Sequence, residues 1–282
     1  MSPILVDMDR AGAAGLAALL QSGHPVCAVV ASYGRGGAGE ALAAAGESCR
    51  LAGGEPPLHQ GMCGPMVPLA EAAPSAGEKD PLAGILALGS ALAAAPQQVQ
   101  ILALGPLTDL AMAFLRDPDG FSQAAGILLC GGAQLGYPAQ TETAEYNLLC
   151  DPEAASVVLS CGVPVSVLPR ETAAEAAAGL SLPEGGRWRA LLDRDGGQGL
   201  LGAVGAAVAA EPALIAESFA CNLSVDTSGS RTRGQLNATR LAGTIIDGQA
   251  GLLTAQVITR LEHTALQAWF DRAAANLERG SL

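Results

Sequence analysis

The run Ile4-Leu5-Val6-Asp7-Met8-Asp9 constrains this chain more than any other stretch. Its first residues are apolar without alternation, the pattern of a strand buried on both faces of a parallel sheet. Side chains alternate along a strand, so Asp7 and Asp9 share a face. At the carboxyl end of a parallel strand that face looks onto the ligand crevice. Two carboxylates there suit metal binding or acid–base chemistry. The residues that follow, Arg10-Ala11-Gly12-Ala13-Ala14-Gly15, add no further carboxylate.

The same strand-then-helix pattern recurs. Residues 13–22 read as a helix ending at Gly23, 25–31 as a strand and 40–51 as a helix. Further on, 81–95 read as a helix, and 99–104 and 126–130 as strands. This alternation predicts one α/β domain over residues 1–282, an open, mainly parallel sheet with helices on both faces. Residues 55–80 are rich in Pro and Gly and read as a long loop over the carboxyl edge. Asp109 and Asp151 read as helix caps, Asp151 because Pro152 follows at the first helical position. Glu145-Tyr146-Asn147 reads as an extended loop that presents an acceptor and an amide together. Residues 223–236 read as a hairpin turning at Ser228-Gly229. Residues 251–278 read as one final helix, with Leu253, Val257, Leu261 and Leu266 along one side.

Charge and cysteine usage exclude several classes. The net charge of −12 argues against a nucleic-acid or anionic membrane surface. No apolar run approaches the ~18 residues of a membrane span. Asp7, Asp9 and Arg10 interrupt the apolar stretch that a signal peptide needs. The seven cysteines are odd in number and form no CxxC pair, as expected of reduced thiols in a cytoplasmic protein. Gly34-Arg35-Gly36-Gly37-Ala38-Gly39 has neither GxGxxG spacing nor a GK[ST] ending. It reads as a tight strand-to-helix turn from which Arg35 can face the pocket.

Several segments together resemble the inosine–uridine-preferring nucleoside hydrolase family. They are Asp7-Met8-Asp9; Leu104-Gly105-Pro106-Leu107-Thr108-Asp109-Leu110; Gly131-Gly132-Ala133; Ala144-Glu145-Tyr146-Asn147 with Asp151-Pro152-Glu153-Ala154-Ala155; Gly162-Val163-Pro164; and the stretch from Val225 to Gln235. The resemblance implies an open α/β sheet with its site at the carboxyl edge, a bound calcium, a small-molecule substrate and a homodimer or homotetramer. The family opens with Asp-x-Asp-Pro-Gly-x-Asp-Asp. Asp7 and Asp9 match its first two carboxylates, and Asp9 takes the place of the one that binds calcium and activates water. Ala13 and Ala14 stand where the last two belong. Leu104 matches a backbone-carbonyl ligand, Glu145 and Asn147 match ribose contacts, and Arg35 replaces a substrate-contacting Asn. Leu201 and Gly202 fall where the family has a late His-Asp pair, and none of His24, His59 or His263 is near.

Calcium takes 6–8 oxygen ligands, usually several of them carboxylates. The matched positions offer about one carboxylate and one carbonyl, so the expectation is no metal and no other cofactor. The leading expectation is a nucleoside hydrolase fold repurposed for metal-independent isomerisation, cyclisation or elimination on a less polar small molecule. Asp9 and Glu145 are its candidate catalytic residues. Asp7, Arg35, Asn147, Ala13, Ala14 and Leu201 are its candidate substrate contacts. Two alternatives stand beside it: a catalytically inactive binding or structural homologue, and a residual N-ribosyl hydrolase.

Overall fold

The computed structural model describes residues 1–67, 82–133, 140–193, 197–229, 231–240, 245–246, 249–250 and 255–279. The strands are β1 (Ile4–Met8), β2 (Val26–Ala31), β3 (Leu58–Gln60), β4 (Gln100–Ala103), β5 (Gly126–Cys130), β6 (Val165–Leu168), β7 (Ile215–Val225), β8 (Leu236–Thr239), β9 (Ile245–Ile246), β10 (Gln249–Ala250) and β11 (Ala255–Leu261). The helices are α1 (Ala13–Gln21), α2 (Ala38–Ala52), α3 (Leu82–Ala94), α4 (Thr108–Arg116), α5 (Pro118–Phe121), α6 (Tyr146–Cys150), α7 (Pro152–Leu159), α8 (Arg170–Ala178), α9 (Gly186–Leu192), α10 (Gln198–Ala210) and α11 (His263–Arg279).

Nine strands form one mixed sheet in the order β3-β2-β1-β4-β5-β6-β11-β7-β8, and β9 and β10 pair separately. Seven strands, from β3 across to β11, run parallel; β7 and β8 are antiparallel to their neighbours. β1 is fully buried along its length, as its unbroken apolar run predicts. The chain winds outward from it in both directions, through β2 and β3 on one side and β4 to β6 on the other. The reversal between β1 and β4 is a topological switch point, where open α/β sheets leave a crevice.

Both faces of the sheet are covered. Ile4, Val6 and Met8 pack with α1, α8, α10 and α11 on one face. Leu5, Val30, Ile101 and Leu129 pack with α3, α4 and α7 on the other. The helices that touch the sheet are rich in Ala and Gly, which lets backbones approach closely. α10 approaches both α1 and α9 closely. A Cβ on Gly15 would lie 2.7 Å from the Gly202 carbonyl oxygen, and one on Gly199 would lie 2.8 Å from the Leu191 carbonyl oxygen.

The structure corrects four expectations. Residues 255–261 are not helical but form β11, central in the sheet between β6 and β7. Val257 and Leu261 are four apart, which fits one face of a strand as well as one side of a helix. The β-branched Val257-Ile258-Thr259 suits the strand, and pairing with β6 and β7 fixes it; the helix starts only at His263, and 251–254 lie outside the described residues. Glu145-Tyr146-Asn147 is not an extended loop: Glu145 caps the short helix α6. Asp109 lies in the first turn of α4 but caps nothing there; it accepts the Met62 amide from across the sheet at 3.0 Å. The stretch after residue 55 contributes the edge strand β3, and its continuation at 68–81 lies outside the described residues. Asp151 does cap α7, accepting the Ala154 amide at 3.0 Å, and the 223–236 hairpin pairs Val225 with Leu236.

Candidate active site

A cavity of about 60 Å³ opens at the carboxyl edge beside the switch point. Each central parallel strand feeds it. Asp9, Ala11 and Gly12 follow β1, Arg35 follows β2 and Leu104 follows β4. Cys130 ends β5, while Leu168 and Arg170 come from the end of β6. Glu145 and Asn147 at the start of α6 form another side, and Gln198, Leu201 and Gly202 of α10 close the remainder. A groove of about 380 Å³ at the opposite edge is larger, but no buried carboxyl group lines it.

Asp9 is held by the backbone around it. Its Oδ1 accepts the amides of Ala11 (2.8 Å) and Gly12 (3.3 Å), capping the short 3-10 turn Arg10–Gly12. Its Oδ2 accepts the Arg35 amide at 2.8 Å. That bond requires the glycine turn after β2 to pass directly over the carboxylate. A Cβ on Gly34 would lie 2.6 Å from Asp9 Oδ2, and Gly36 takes φ +106, which only glycine adopts readily. Burial pushes the Asp9 carboxyl above its ordinary range, and the three amides and the Arg35 charge offset this only in part.

Glu145 is built the same way. Its Oε2 accepts the amides of Asn147 (2.9 Å) and Gly132 (3.2 Å). Burial raises its carboxyl too, against these amides and the charge of Arg170. Asn147 donates its side-chain amide to the Cys130 carbonyl at 3.2 Å, which fixes the direction of its oxygen. The Cys130 thiol is pushed up to about 12, by burial first and by Glu145 second, so it is a neutral wall atom rather than a nucleophile.

Asp9, Arg35, Glu145, Asn147 and Leu201 therefore meet around one cavity. Asp7, Ala13 and Ala14 are not on its wall. Asp7 is fully buried behind it, and neither of its carboxyl oxygens has a hydrogen-bond partner among the described residues. Burial, then Asp109, then Asp9 hold its carboxyl well above the ordinary range. Asp109 beside it is pushed up to about 7, chiefly by burial. Ala13 and Ala14 are buried at the start of α1, and Ala14 meets α10, its Cβ 3.1 Å from where a Gly199 Cβ would stand.

Among the wall residues that the sequence did not single out, two carry long polar side chains. Arg170 reaches the cavity from just past β6, and its Nη1 donates to Gln198 Oε1 at 2.7 Å. A rule slightly looser than the one that selected Asp9, a polar residue within two positions of the end of a parallel strand, selects Arg170 as well once β6 is recognised. Gln198 carried no local signal, because α10 is defined by its contact with α1.

Calcium does not fit the residues present. Three amides occupy most of the acceptor sites of Asp9, and the Ala13-Ala14 and Leu201-Gly202 positions offer no side-chain oxygen. Among the described residues no three His, Cys, Asp or Glu side chains converge to hold a metal ion.

The sheet order and the carboxyl-edge site define the class as the nucleoside hydrolase fold. The structure superposes on an inosine-guanosine nucleoside hydrolase with a TM-score of 0.79 at 22% identity, covering 97% of this chain and 98% of that one. It matches a purine-preferring ribonucleoside hydrolase from Gardnerella vaginalis with a TM-score of 0.75 at 18% identity, over 98% and 99% of the two chains. The profile of the inosine-uridine preferring nucleoside hydrolases matches residues 4–268, and the chain belongs to that family. A probable uridine nucleosidase 1 of rice is 44% identical over 73 residues, 26% of this chain and 22% of the relative. The pyrimidine-specific ribonucleoside hydrolase RihA of Salmonella schwarzengrund is 34% identical over 107 residues, 38% and 32% of the two chains. The chain thus aligns with only about a fifth to a third of these relatives' length.

Proposed function

We propose that this family member carries out metal-independent acid–base chemistry on a small molecule other than a nucleoside. The observation that supports this reading is the pair of buried, amide-capped carboxyl groups, Asp9 and Glu145, on one small cavity with no donor set for calcium around it. A cavity of about 60 Å³ is small beside the ~300–1,000 Å³ of ordinary ligand sites, so a reacting group enters it and the rest of the substrate lies outside.

Both carboxyl groups are raised by burial, toward the pH at which a proton can leave or return. Asp9 takes a proton from the bound molecule and Glu145 supplies one at a second atom. The exchange balances without a co-reactant, as an isomerisation, a cyclisation or an elimination requires. Leu104, Leu168 and Leu201 supply the apolar side of the wall. The partner is a small molecule rather than nucleic acid or membrane. Among the described residues no helix is long and apolar enough to cross a membrane, and the −12 net charge disfavours polyanions. The homodimer or homotetramer that the resemblance implies remains part of this proposal.

A second reading, residual N-ribosyl hydrolysis, is favoured by the local likeness to a uridine nucleosidase. Metal analysis and calcium titration of the purified protein, followed by a nucleoside panel, decide between them. The expected result is no stoichiometric calcium and no ribose release. Calcium-stimulated ribose release would overturn the leading reading.

A further inference from the structure

The two guanidinium groups on the cavity wall are passed over by the carboxylates beside them. Among the described residues neither Arg35 nor Arg170 forms an ion pair, although Asp9 and Glu145 share their cavity. The carboxylate oxygens are instead taken by backbone amides. Arg35 lies over the Tyr146 ring, 4.1 Å from its centroid, a stacking that orients the guanidinium while leaving its N–H edge free. Arg170 uses one N–H on Gln198, which fixes the plane of the fork. A guanidinium has five N–H donors, so among the described residues most donors on both groups are unused.

We propose that the cavity binds a small amphipathic organic acid, its carboxylate held by Arg35 and Arg170 and its apolar part against Leu104, Leu168 and Leu201. Guanidinium and carboxylate match as planar, two-pronged partners. The chain has only 15 Lys and Arg in all, and two of them converge on one cavity of about 60 Å³ whose own carboxyl groups, Asp9 and Glu145, are already held by backbone amides. A volume of that size encloses a carboxylate head group, and the apolar remainder extends along the leucine side. Tyr146 and Gln198 act as positioning residues, each orienting one guanidinium. This assignment names the substrate class of the site proposed above and rests on that reading for its catalytic meaning alone.

The test is a titration of the full chain with benzoate, followed by calorimetry and thermal shift, with benzamide as the uncharged isostere and inorganic phosphate as a competing anion. Benzoate is expected to bind with an affinity that falls as salt is raised, and benzamide at least about tenfold more weakly. Arg170→Gln and Arg35→Gln should each weaken benzoate by about tenfold to a hundredfold, with unchanged benzamide binding. Arg170→Lys should recover part of the loss, since it keeps the charge without the fork. Equal binding of benzoate and benzamide, tighter binding of phosphate, or no benzoate binding at millimolar concentration would each overturn the assignment. The isostere comparison uses the unmodified protein and stands even where a variant fails to fold. Benzoate binding with no turnover of any organic acid would leave this assignment and overturn the proposed catalysis. Turnover of a neutral molecule without anion binding would do the reverse.

Discussion

The two walls of the cavity are made by opposite means. The wall around β1, β2 and α6 is polar and is fixed by backbone amides folding onto Asp9 and Glu145. The wall made by α10 is backed by α1 through small residues, with Gly15 against Gly202 and Gly199 against Ala14. In the family resemblance both walls would carry carboxylates. Here the acids Asp9 and Glu145 are capping residues on one wall, while α10 on the other packs closely on α1. Capping and catalysis make the same demand, a carboxyl group held rigidly at a chain terminus. Side chains that fill a helix contact are under no such demand, so that wall can lose its polarity without losing the fold.

The comparison predicts that the polar wall governs activity. Asp9→Asn should lower turnover of an accepted substrate by about 10²- to 10⁴-fold, the usual worth of a positioned acid–base group. Steady-state rates normalised to the folded fraction check this, and an unchanged rate would remove Asp9 as the base.

The acids behind that wall should dominate pH dependence. Asp109 ionises with an ordinary value of 3.8 when unfolded, and burial pushes it up to about 7 in the fold. Its contribution to stability is therefore complete below the unfolded value and is lost as pH rises through about 7. Asp109→Asn should gain on wild type by roughly 2–4 kcal/mol between pH 5 and pH 8. Urea midpoints at the two pH values measure it; a constant difference would mean that Asp109 is already ionised in the fold.

The closed wall should instead govern stability. Gly15→Leu forces atoms into a space where even a Cβ would stand 2.7 Å from the Gly202 carbonyl oxygen. A loss of about 2–3 kcal/mol is expected. A variant as stable as wild type would show that α10 can shift away from α1 and that the cavity can widen. The smallest effect belongs to neither wall. Arg233 forms a two-pronged, half-buried pair with Glu153, both bonds 2.7 Å. Arg233→Ala should cost no more than about 1 kcal/mol in thermal unfolding. A larger loss would make the hairpin loop, rather than the two walls, the element that sets stability.

The sequence by itself determined the parts whose reasons are local. The unbroken apolar run of β1 demanded a central parallel strand, and its alternation with Ala-rich helices demanded an open α/β sheet. Asp9 was visible because it directly follows such a strand, and Asp151 because Pro152 marks a helix start. Tertiary structure decided what depends on partners distant in the chain. Asp7 and Asp9 share a strand face, yet the 3-10 turn carries Asp9 into the cavity while Asp7 stays fully buried off its wall. Val257 and Leu261 fit a helix or a strand until β6 and β7 are in place to pair with β11. Arg170 and Gln198 become one device only when α10 packs down on α1. Periodicity encodes which way a residue faces within its own element; which element it then faces is set by backbone approach, and in this chain that approach is controlled by glycines with no side chain to announce it.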